Sequence, residues 1–130
     1  AAIRIPMYSD SPKAKRIETR FPDPSGNCYL IFSALLMAGL DGIKNKIKPT
    51  KPLEEDIYEL SEKELSKYPS VPAALEESLD ELRKDHKFLL EGNVFTKEFI
   101  DGYINYKMDN EITPWRTRPN PLEFVMYYSV

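Results

Sequence analysis

The sequence contains, at residues 16–21, the stretch Arg16-Ile17-Glu18-Thr19-Arg20-Phe21, in which charged and uncharged side chains alternate. Because successive side chains of a β-strand point to opposite faces, this alternation predicts a strand that carries Arg16, Glu18 and Arg20 on one face. Pro22-Asp23-Pro24 ends the strand, since proline has no N–H to donate to a sheet. Upstream, Ile3 to Met7 is predicted to form a second short extended segment.

A long helix is predicted downstream of this strand. It begins at an N-cap of either Ser25 or Asn27 and runs to Ile47. Most of its circumference is apolar, so we expect it to be buried against several neighbours. Cys28 lies at the start of this apolar run and is predicted to be a small buried hydrophobe.

Two further helices are predicted after a long connection over residues 48–70. The second runs from Pro72 at its first position to Leu90, and Gly92-Asn93 breaks the chain after it. The third covers residues 97–110 and is ended by Pro114. Apolar side chains at helical spacing predict their core faces: Leu75, Leu79, Leu82 and Leu89 on the second, and Phe99, Ile100, Tyr103, Ile104 and Met108 on the third.

The C-terminal segment is unusually apolar for a chain end. Asn120 followed by Pro121 and Glu123 predicts a helix start with a capping box, and the residues after it are almost uniformly apolar. Chain ends are normally polar, so such a segment should be docked on a surface. Composition alone favours the core of the same chain over another chain.

Composition excludes several classes of function. The 18 basic and 21 acidic residues give a formal net charge of −3, and no basic block is long enough to form a nucleic-acid groove. No apolar run reaches a membrane-spanning length, and we expect no signal peptide, no membrane role and a cytoplasmic protein. The single cysteine fits a reducing compartment. The single histidine, His86, cannot build a multi-histidine metal site and is predicted to lie on a solvated helix face.

The charged face of the predicted strand has two interpretations. Two guanidinium groups beside a carboxylate can bind phosphate or carboxylate anions and offer one oxygen ligand to a hard cation. Lys13, just upstream, could add a point charge for a phosphate chain. The other interpretation is an exposed sheet face that pairs with opposite charges on neighbouring strands, and the residues alone favour it.

Several segments together resemble one enzyme family over essentially the whole chain. They are Arg4-Ile5-Pro6, the run from Ser11 to Pro24, Asn27-Cys28-Tyr29-Leu30, the run from Ala34 to Ile47, Gly92-Asn93-Val94-Phe95-Thr96 and Tyr127-Tyr128-Ser129-Val130. In combination they closely resemble the C-terminal part of bacterial type I glutamine synthetases. That family makes L-glutamine from L-glutamate, ammonia and ATP through γ-glutamyl phosphate, with two divalent cations, Mg²⁺ or Mn²⁺.

The resemblance implies a role for each charged residue near the N-terminus. Glu18 would be a ligand of the metal shared with the nucleotide, and Arg20 would bind the glutamate side-chain carboxylate and the transferring phosphoryl group. Arg4, Lys13 and Arg16 would contact the phosphates of the nucleotide. Arg20 and Arg16 are thus the expected catalytic residues. The family's other metal ligands and its glycine-rich ATP signature lie upstream of this segment, so we expect the isolated chain to be inactive.

The resemblance also implies an architecture. We expect an α+β fold in which residues 1–24 form active-site strands from the catalytic barrel, residues 25–113 form a helical region and residues 114–130 form a C-terminal arm. In the family, residues equivalent to 121–130 insert into the opposite ring of a dodecamer made of two hexamers. This reverses the preference for self-docking. A non-catalytic assembly module with a structural charged strand is the alternative function.

Tyr58 matches a regulatory position of the family. In many bacterial members a tyrosine in this connection is adenylylated by an adenylyltransferase, and Ile57-Tyr58-Glu59-Leu60 matches its surroundings. The preceding Glu54-Glu55-Asp56 departs from the usual pattern, because a second acid replaces a basic residue. An ordinary half-buried tyrosine is the alternative.

Overall fold

The computed structural model describes residues 2–6, 11–53, 55–56 and 58–129. They form two compact units, a first unit over Ala1–Val71 and a second unit over Pro72–Val130. The elements are mostly helical with two short antiparallel strands, as the α+β prediction requires. Strand β1, Ile3–Arg4, pairs with strand β2, Glu18–Thr19, so that Ile3 lies opposite Thr19 and Arg4 lies opposite Glu18.

Strand β2 is shorter than the predicted strand over residues 16–21. A strand residue needs a partner, and β1 offers only Ile3 and Arg4 before Pro6, which lacks an N–H. One more backbone bond, from the Arg20 N–H to the Ala2 carbonyl at 2.8 Å, extends the pairing beyond β2. Arg16 lies outside the strand, after a short 3₁₀ turn over Pro12–Ala14. Met7, the predicted end of the first extended segment, lies outside the described residues.

Helix α1 spans Cys28–Lys44 and starts where one of the two proposed caps predicts. The side-chain oxygen of Asn27 accepts hydrogen bonds from the N–H groups of Tyr29 and Leu30, at 3.0 and 3.3 Å. The predicted end at Ile47 is wrong. Lys46 has a φ of 52°, a left-handed conformation that cannot continue a helix.

The expected burial of α1 is wrong for this chain. Met37 is its one buried residue among those described, and Cys28, at the first helical position, is exposed. Five large side chains are each at least 52% exposed: Tyr29, Phe32, Leu36, Leu40 and Ile43. The described residues of the first unit supply no partner surface for this apolar helix, although its amino-acid pattern is that of a core element.

The connection over residues 48–70 contains a short helix that the sequence analysis missed. Helix α2 spans Glu62–Leu65. The Glu64 carboxylate accepts hydrogen bonds from the Ser61 hydroxyl at 2.6 Å and from the Ser61 N–H at 3.0 Å, and these bonds lower the pKa of Glu64. Ser61 and Glu64 have the spacing of a capping box, so the signal was present in the sequence.

Helix α3 spans Leu75–Lys84, so both predicted ends, Pro72 and Leu90, are wrong. At the C-terminal end, the Nδ1–H of His86 donates to the Leu82 carbonyl at 2.9 Å. In a continuing helix that carbonyl would accept the backbone N–H of His86, so the imidazole replaces the next helical bond. His86 is therefore half-buried beyond the helix rather than on a solvated face.

A 3₁₀ segment over Lys87–Asn93 follows α3 and contains the predicted break. Gly92 and Asn93 have φ values of 64° and 57°, the left-handed region that glycine and asparagine tolerate best. The break is thus confirmed, although the chain enters it from a 3₁₀ turn.

Helix α4 spans Lys97–Lys107, and the Thr96 hydroxyl oxygen accepts from the Phe99 N–H at 3.1 Å. The chain then continues through a π-helical turn, Met108–Ile112, into helix α5, Thr113–Arg116. The predicted stop at Pro114 is wrong. Pro114 lies in the first turn of α5, where a backbone N–H is not required. In the preceding π turn the Thr113 N–H donates to the Met108 carbonyl, so the helical path continues through the proline.

The second unit has a small apolar core drawn from α3, the 3₁₀ segment, α4 and the π turn. Ile104 is 1% exposed and lies at its centre. Four of the predicted core residues are confirmed, and Ile112 joins them. Leu75 and Phe99, also predicted, are 43% and 45% exposed. The buried residues are Leu79, Leu89, Ile100, Ile104 and Ile112.

Helix α6, hereafter the arm, spans Pro121–Tyr127 and has the predicted capping box. Asn120 accepts from the Leu122 N–H at 2.9 Å, and Glu123 accepts from the Asn120 N–H at 3.1 Å. Docking on the chain's own core, which composition favoured, is wrong. The apolar side chains of the arm and its end are each between 55% and 84% exposed: Leu122, Phe124, Val125, Met126, Tyr127 and Tyr128.

Within the described residues, no helix is both long and apolar enough to cross a bilayer.

Candidate functional site

The strand pairing brings together three of the predicted site residues. Because Arg4 lies directly opposite Glu18, its Nη1 reaches Glu18 Oε2 at 3.0 Å. Arg20, two residues after Glu18 and on the same side of the backbone, places its Nη2 3.1 Å from the same oxygen. We call Arg4, Glu18 and Arg20 the charged cluster.

The charged cluster is open to solvent. The side chains of Arg4, Glu18 and Arg20 are 51%, 42% and 49% exposed. Exposed ion pairs contribute little to stability, because water screens them and ordering two long side chains costs entropy. The arrangement is therefore better suited to binding ions than to holding the two short strands together.

Both guanidinium groups act on one carboxylate oxygen, and this has an electrostatic consequence. The hydrogen bond from Arg4 lowers the pKa of Glu18 most; partial desolvation opposes this effect, and the hydrogen bond and charge of Arg20 lower the pKa further. Glu18 is consequently ionised at neutral pH. The described hydrogen bonds from both guanidinium groups go to Oε2, so a cation can approach from the side of Oε1.

We predict that Arg4→Gln raises the pKa of Glu18, because the hydrogen bond from Arg4 is the largest single cause of its lowering. Since the folded pKa lies below the ordinary glutamate value, the pairing stabilises the strands above that value and this stabilisation is lost as pH falls through the lowered pKa. An NMR titration of ¹³C-labelled glutamate side chains measures the midpoint. Lys13→Gln is the control and should leave it unchanged; an equal midpoint in Arg4→Gln and the parent chain would contradict the assignment.

A divalent cation needs more oxygen ligands than the charged cluster alone offers. Mg²⁺ prefers six oxygen ligands, usually one or two carboxylates with waters and substrate phosphates. Across the described residues, no three His, Cys, Asp or Glu side chains come together as a metal-binding group. The described residues therefore fit the cation as donors of one carboxylate ligand, Glu18.

Lys13 and Arg16 are not drawn into the charged cluster. Lys13 lies in the 3₁₀ turn and Arg16 in the link to β2, and both are exposed. In the described part of the chain, neither forms a hydrogen bond or ion pair with Arg4, Glu18 or Arg20. Both remain cationic side chains on the same N-terminal segment as the cluster.

Tyr58 lies on an exposed turn of the long connection. It is 92% exposed, which rules out the half-buried alternative in this structure. Its N–H donates to Asp56 Oδ1 at 3.0 Å, and the Glu59 N–H donates to the Asp56 carbonyl at 3.0 Å. The Tyr68 hydroxyl reaches Glu55 Oε2 at 3.3 Å across the connection, and desolvation together with Glu55 raises the pKa of Tyr68. The turn thus holds the Tyr58 phenol in solvent.

Reasoning from the residues alone did not connect Arg4 with Glu18. The available signal was an arginine between Ile3 and Ile5 in a second extended segment, where cross-strand charge pairing would have been a reasonable expectation. The register that places Arg4 opposite Glu18 depends on how the residues between the two strands fold. The alternation of side chains within one strand does not predict that register.

The amino-acid sequence is similar to one family of known proteins. The family model described as "Glutamine synthetase, catalytic domain" matches residues 1–127. The chain is 55% identical to the glutamine synthetase of Streptomyces viridochromogenes, 52% to that of Mycobacterium tuberculosis (strain CDC 1551 / Oshkosh) and 53% to that of Nostoc sp. (strain PCC 7120). Each match covers 100% of this chain but 27–28% of the relative, so the chain spans a little over a quarter of their length. A charged cluster on paired strands, inside a match that runs through nearly every residue, shows that this chain belongs to the glutamine synthetase catalytic-domain family.

Proposed function

We propose that this chain forms one wall of the ATP, metal and glutamate site of a glutamine synthetase. The observation that carries the proposal is the charged cluster: an ionised carboxylate whose two described arginine hydrogen bonds share one oxygen, in a chain of this family. The reaction is the ATP-dependent joining of ammonia to L-glutamate. The chain corresponds to a C-terminal part of its relatives, so the activity belongs to a longer protein.

The chemistry requires charge control at each step. An oxygen of the glutamate side-chain carboxylate attacks the γ-phosphorus of ATP, and the bond from that phosphorus to the ADP oxygen breaks. The nitrogen of ammonia then attacks the γ-carbonyl carbon, phosphate leaves and a proton is released, which gives L-glutamine. Bound Mg²⁺ or Mn²⁺ would neutralise negative charge on the phosphates and on the carboxylate.

The residues of this chain supply positions for these charges. Glu18 offers Oε1 to the cation, while Arg4 and Arg20 keep it ionised and oriented through Oε2. A guanidinium group has five N–H donors, so Arg20 retains donors for the substrate carboxylate and the transferring phosphoryl group. Arg4, Lys13 and Arg16 provide cationic contacts for the nucleotide phosphates, and Arg16 and Arg20 act as the catalytic arginines.

The isolated chain is expected to be inactive, because the family resemblance implies that the other metal ligands and the glycine-rich ATP signature lie outside these residues. We divide it into active-site strands over residues 1–24, a helical region over residues 25–113 and the arm segment over residues 114–130. A chain with one cysteine fits a cytoplasmic enzyme of glutamine biosynthesis. The test is Glu18→Gln in the full-length protein, which should remove activity and leave the oligomer intact.

A second role, assembly, is favoured by the exposed arm. Six apolar side chains in or next to one short helix are more than half exposed, a pattern typical of a protein-binding surface. We propose that the arm inserts into the opposite ring of a dodecamer built from two hexamers. A non-catalytic assembly module, with the charged cluster serving structure alone, is the competing function for the chain.

We predict that Tyr58 is adenylylated in the full-length protein, since its phenol is exposed on a turn. An adenylyltransferase would transfer AMP from ATP to the phenol oxygen and release pyrophosphate. Intact mass spectrometry of protein from nitrogen-rich cultures should show an AMP-sized increment that is absent from Tyr58→Phe. Unmodified mass under those conditions would contradict the prediction, and the acidic Glu55 and Asp56 before the tyrosine would then explain the failure of recognition.

A further inference from the structure

One ion pair of the second unit joins segments that are far apart in sequence. Arg116 Nη2 contacts Glu76 Oε2, which links the last residue of α5 to the first turn of α3 across 40 residues. Glu76 is 35% exposed and Arg116 is 55% exposed. The other described ion pairs of this unit, such as Lys84–Glu81 and Lys97–Asp101, join residues three or four apart within one helix. The Glu76–Arg116 pair is therefore a tertiary contact.

The location of this pair is significant because the apolar core stops short of it. Ile112, in the π turn, is the last buried residue described toward the C-terminus. Trp115, one turn later, is 72% exposed and does not anchor α5. The side chain of Arg116 is thus the described contact that holds the end of α5 to α3.

The link from α5 to the arm is short and stiff. The Thr117 hydroxyl donates to the carbonyls of Thr113 and Pro114 at 3.1 and 3.2 Å, and the Arg118 N–H donates to the Trp115 carbonyl at 3.4 Å. Pro119 and Pro121 then fix two φ angles and restrict the residue before each of them. Since few backbone angles remain free, the direction of the arm follows the orientation of the last turn of α5.

The arm has little else in this chain to orient it. An open cleft separates its first turn from α5, and its walls include Trp115, Arg118 and Glu123. The apolar side chains of the arm are exposed rather than packed on the second unit. The capping box stabilises the arm helix internally and does not fix its direction.

We propose that the Glu76–Arg116 pair is a positioning contact that sets the direction in which the arm leaves the second unit, and so controls ring-to-ring assembly. This inference rests on the assembly role proposed for the arm. A correctly directed arm binds the opposite ring without first losing orientational entropy. Several arms act together in one particle, so a small effect per arm is multiplied.

The experiment uses the full-length protein carrying Glu76→Gln or Arg116→Gln. Each should weaken double-ring association by about threefold per arm, the scale expected of an exposed ion pair, and mass photometry over a dilution series measures it. The parent protein should lose double rings as salt rises, and the variants should respond less. Exchanging the charges, with Glu76→Arg and Arg116→Glu together, should restore the double ring. Glu81→Gln, which breaks the Lys84–Glu81 pair on the same helix, is the matched control.

The outcomes separate this inference from the assembly role on which it rests. If deletion of residues 121–130 splits the rings while Glu76→Gln and Arg116→Gln behave like the parent, the arm role stands and the positioning role is overturned. A charge-exchanged protein that stays split also overturns it. If deletion leaves the double ring intact, both proposals fail. Weaker association at an unchanged thermal unfolding midpoint supports positioning, since a purely structural pair would lower both.

Discussion

Replacing Glu18 with glutamine in the full-length protein is expected to lower kcat/KM for glutamine formation by at least about a hundredfold, since a bound cation supplies several kcal/mol of charge stabilisation. The amide keeps the size of the side chain but removes the charge that binds the cation. It also leaves the guanidinium groups of Arg4 and Arg20 without their shared anion. Both consequences act directly on the proposed site.

The measurement is ATP-dependent glutamine production, with particle mass recorded on the same samples. Glu62→Gln, an exposed glutamate on α2, is the matched control and should retain the activity of the parent. Activity close to that of the parent in Glu18→Gln would remove the carboxylate from the catalytic machinery. Loss of the oligomer before loss of activity would favour the structural alternative. The purified 130-residue chain should be inert, and measurable synthesis by it would contradict the proposal that the site is incomplete.

Deleting residues 121–130 from the full-length protein is expected to convert double rings into single rings. Burying one Leu, Val, Phe or Met side chain contributes about 1.5–3 kcal/mol, so the exposed apolar residues of one arm represent several kcal/mol of binding free energy. Removing that contribution from every subunit should shift the equilibrium completely at micromolar concentrations. Light scattering measures the change in mass.

A length-preserving variant separates loss of apolar surface from loss of the helix itself. Phe124→Ser combined with Val125→Ser keeps the capping box at Asn120 and should also produce single rings. Val94→Ser changes a valine that is 54% exposed outside the arm and should leave the double ring intact. An unchanged mass after the deletion would show that other surfaces join the rings.

Local signals in the sequence were sufficient wherever a few neighbouring residues determine the structure. Asn27 caps α1, Asn120 and Glu123 cap the arm, and Gly92 breaks the chain, each through contacts within four residues. The short helix α2 follows the same chemistry through the capping box of Ser61 and Glu64. These features depend on side chains that satisfy the free backbone groups at helix ends.

Features that helical periodicity and proline positions do not determine were predicted poorly. Helix α3 ends early because the His86 ring takes the Leu82 carbonyl, and Pro114 fails to stop the chain because a π turn precedes it. The exposure of Cys28 has another origin: the apolar pattern of α1 calls for a covering surface, which the described residues of the first unit do not provide. Helical periodicity predicts which side chains form the face to be buried. It does not predict whether a surface that covers this face is present.

For the candidate site, the sequence predicted side-chain chemistry better than geometry. Alternation placed Glu18 and Arg20 on one face, and they are in contact. Arg4 was assigned to phosphate binding by resemblance alone, and its ion pair with Glu18 depends on a register that the strand pattern does not contain. Lys13 and Arg16 carry suitable charges, but the fold leaves them outside the cluster.

The distribution of buried side chains has a thermodynamic consequence. Met37 is the one buried hydrophobe described in the first unit, whereas the second unit has five. A segment that removes so little apolar surface from water gains little free energy to offset the entropy of ordering its backbone. In the isolated chain, heat or denaturant should therefore melt the β1–β2 pair and α1 before the core around Ile104. No single free energy of unfolding describes a molecule whose two units melt separately.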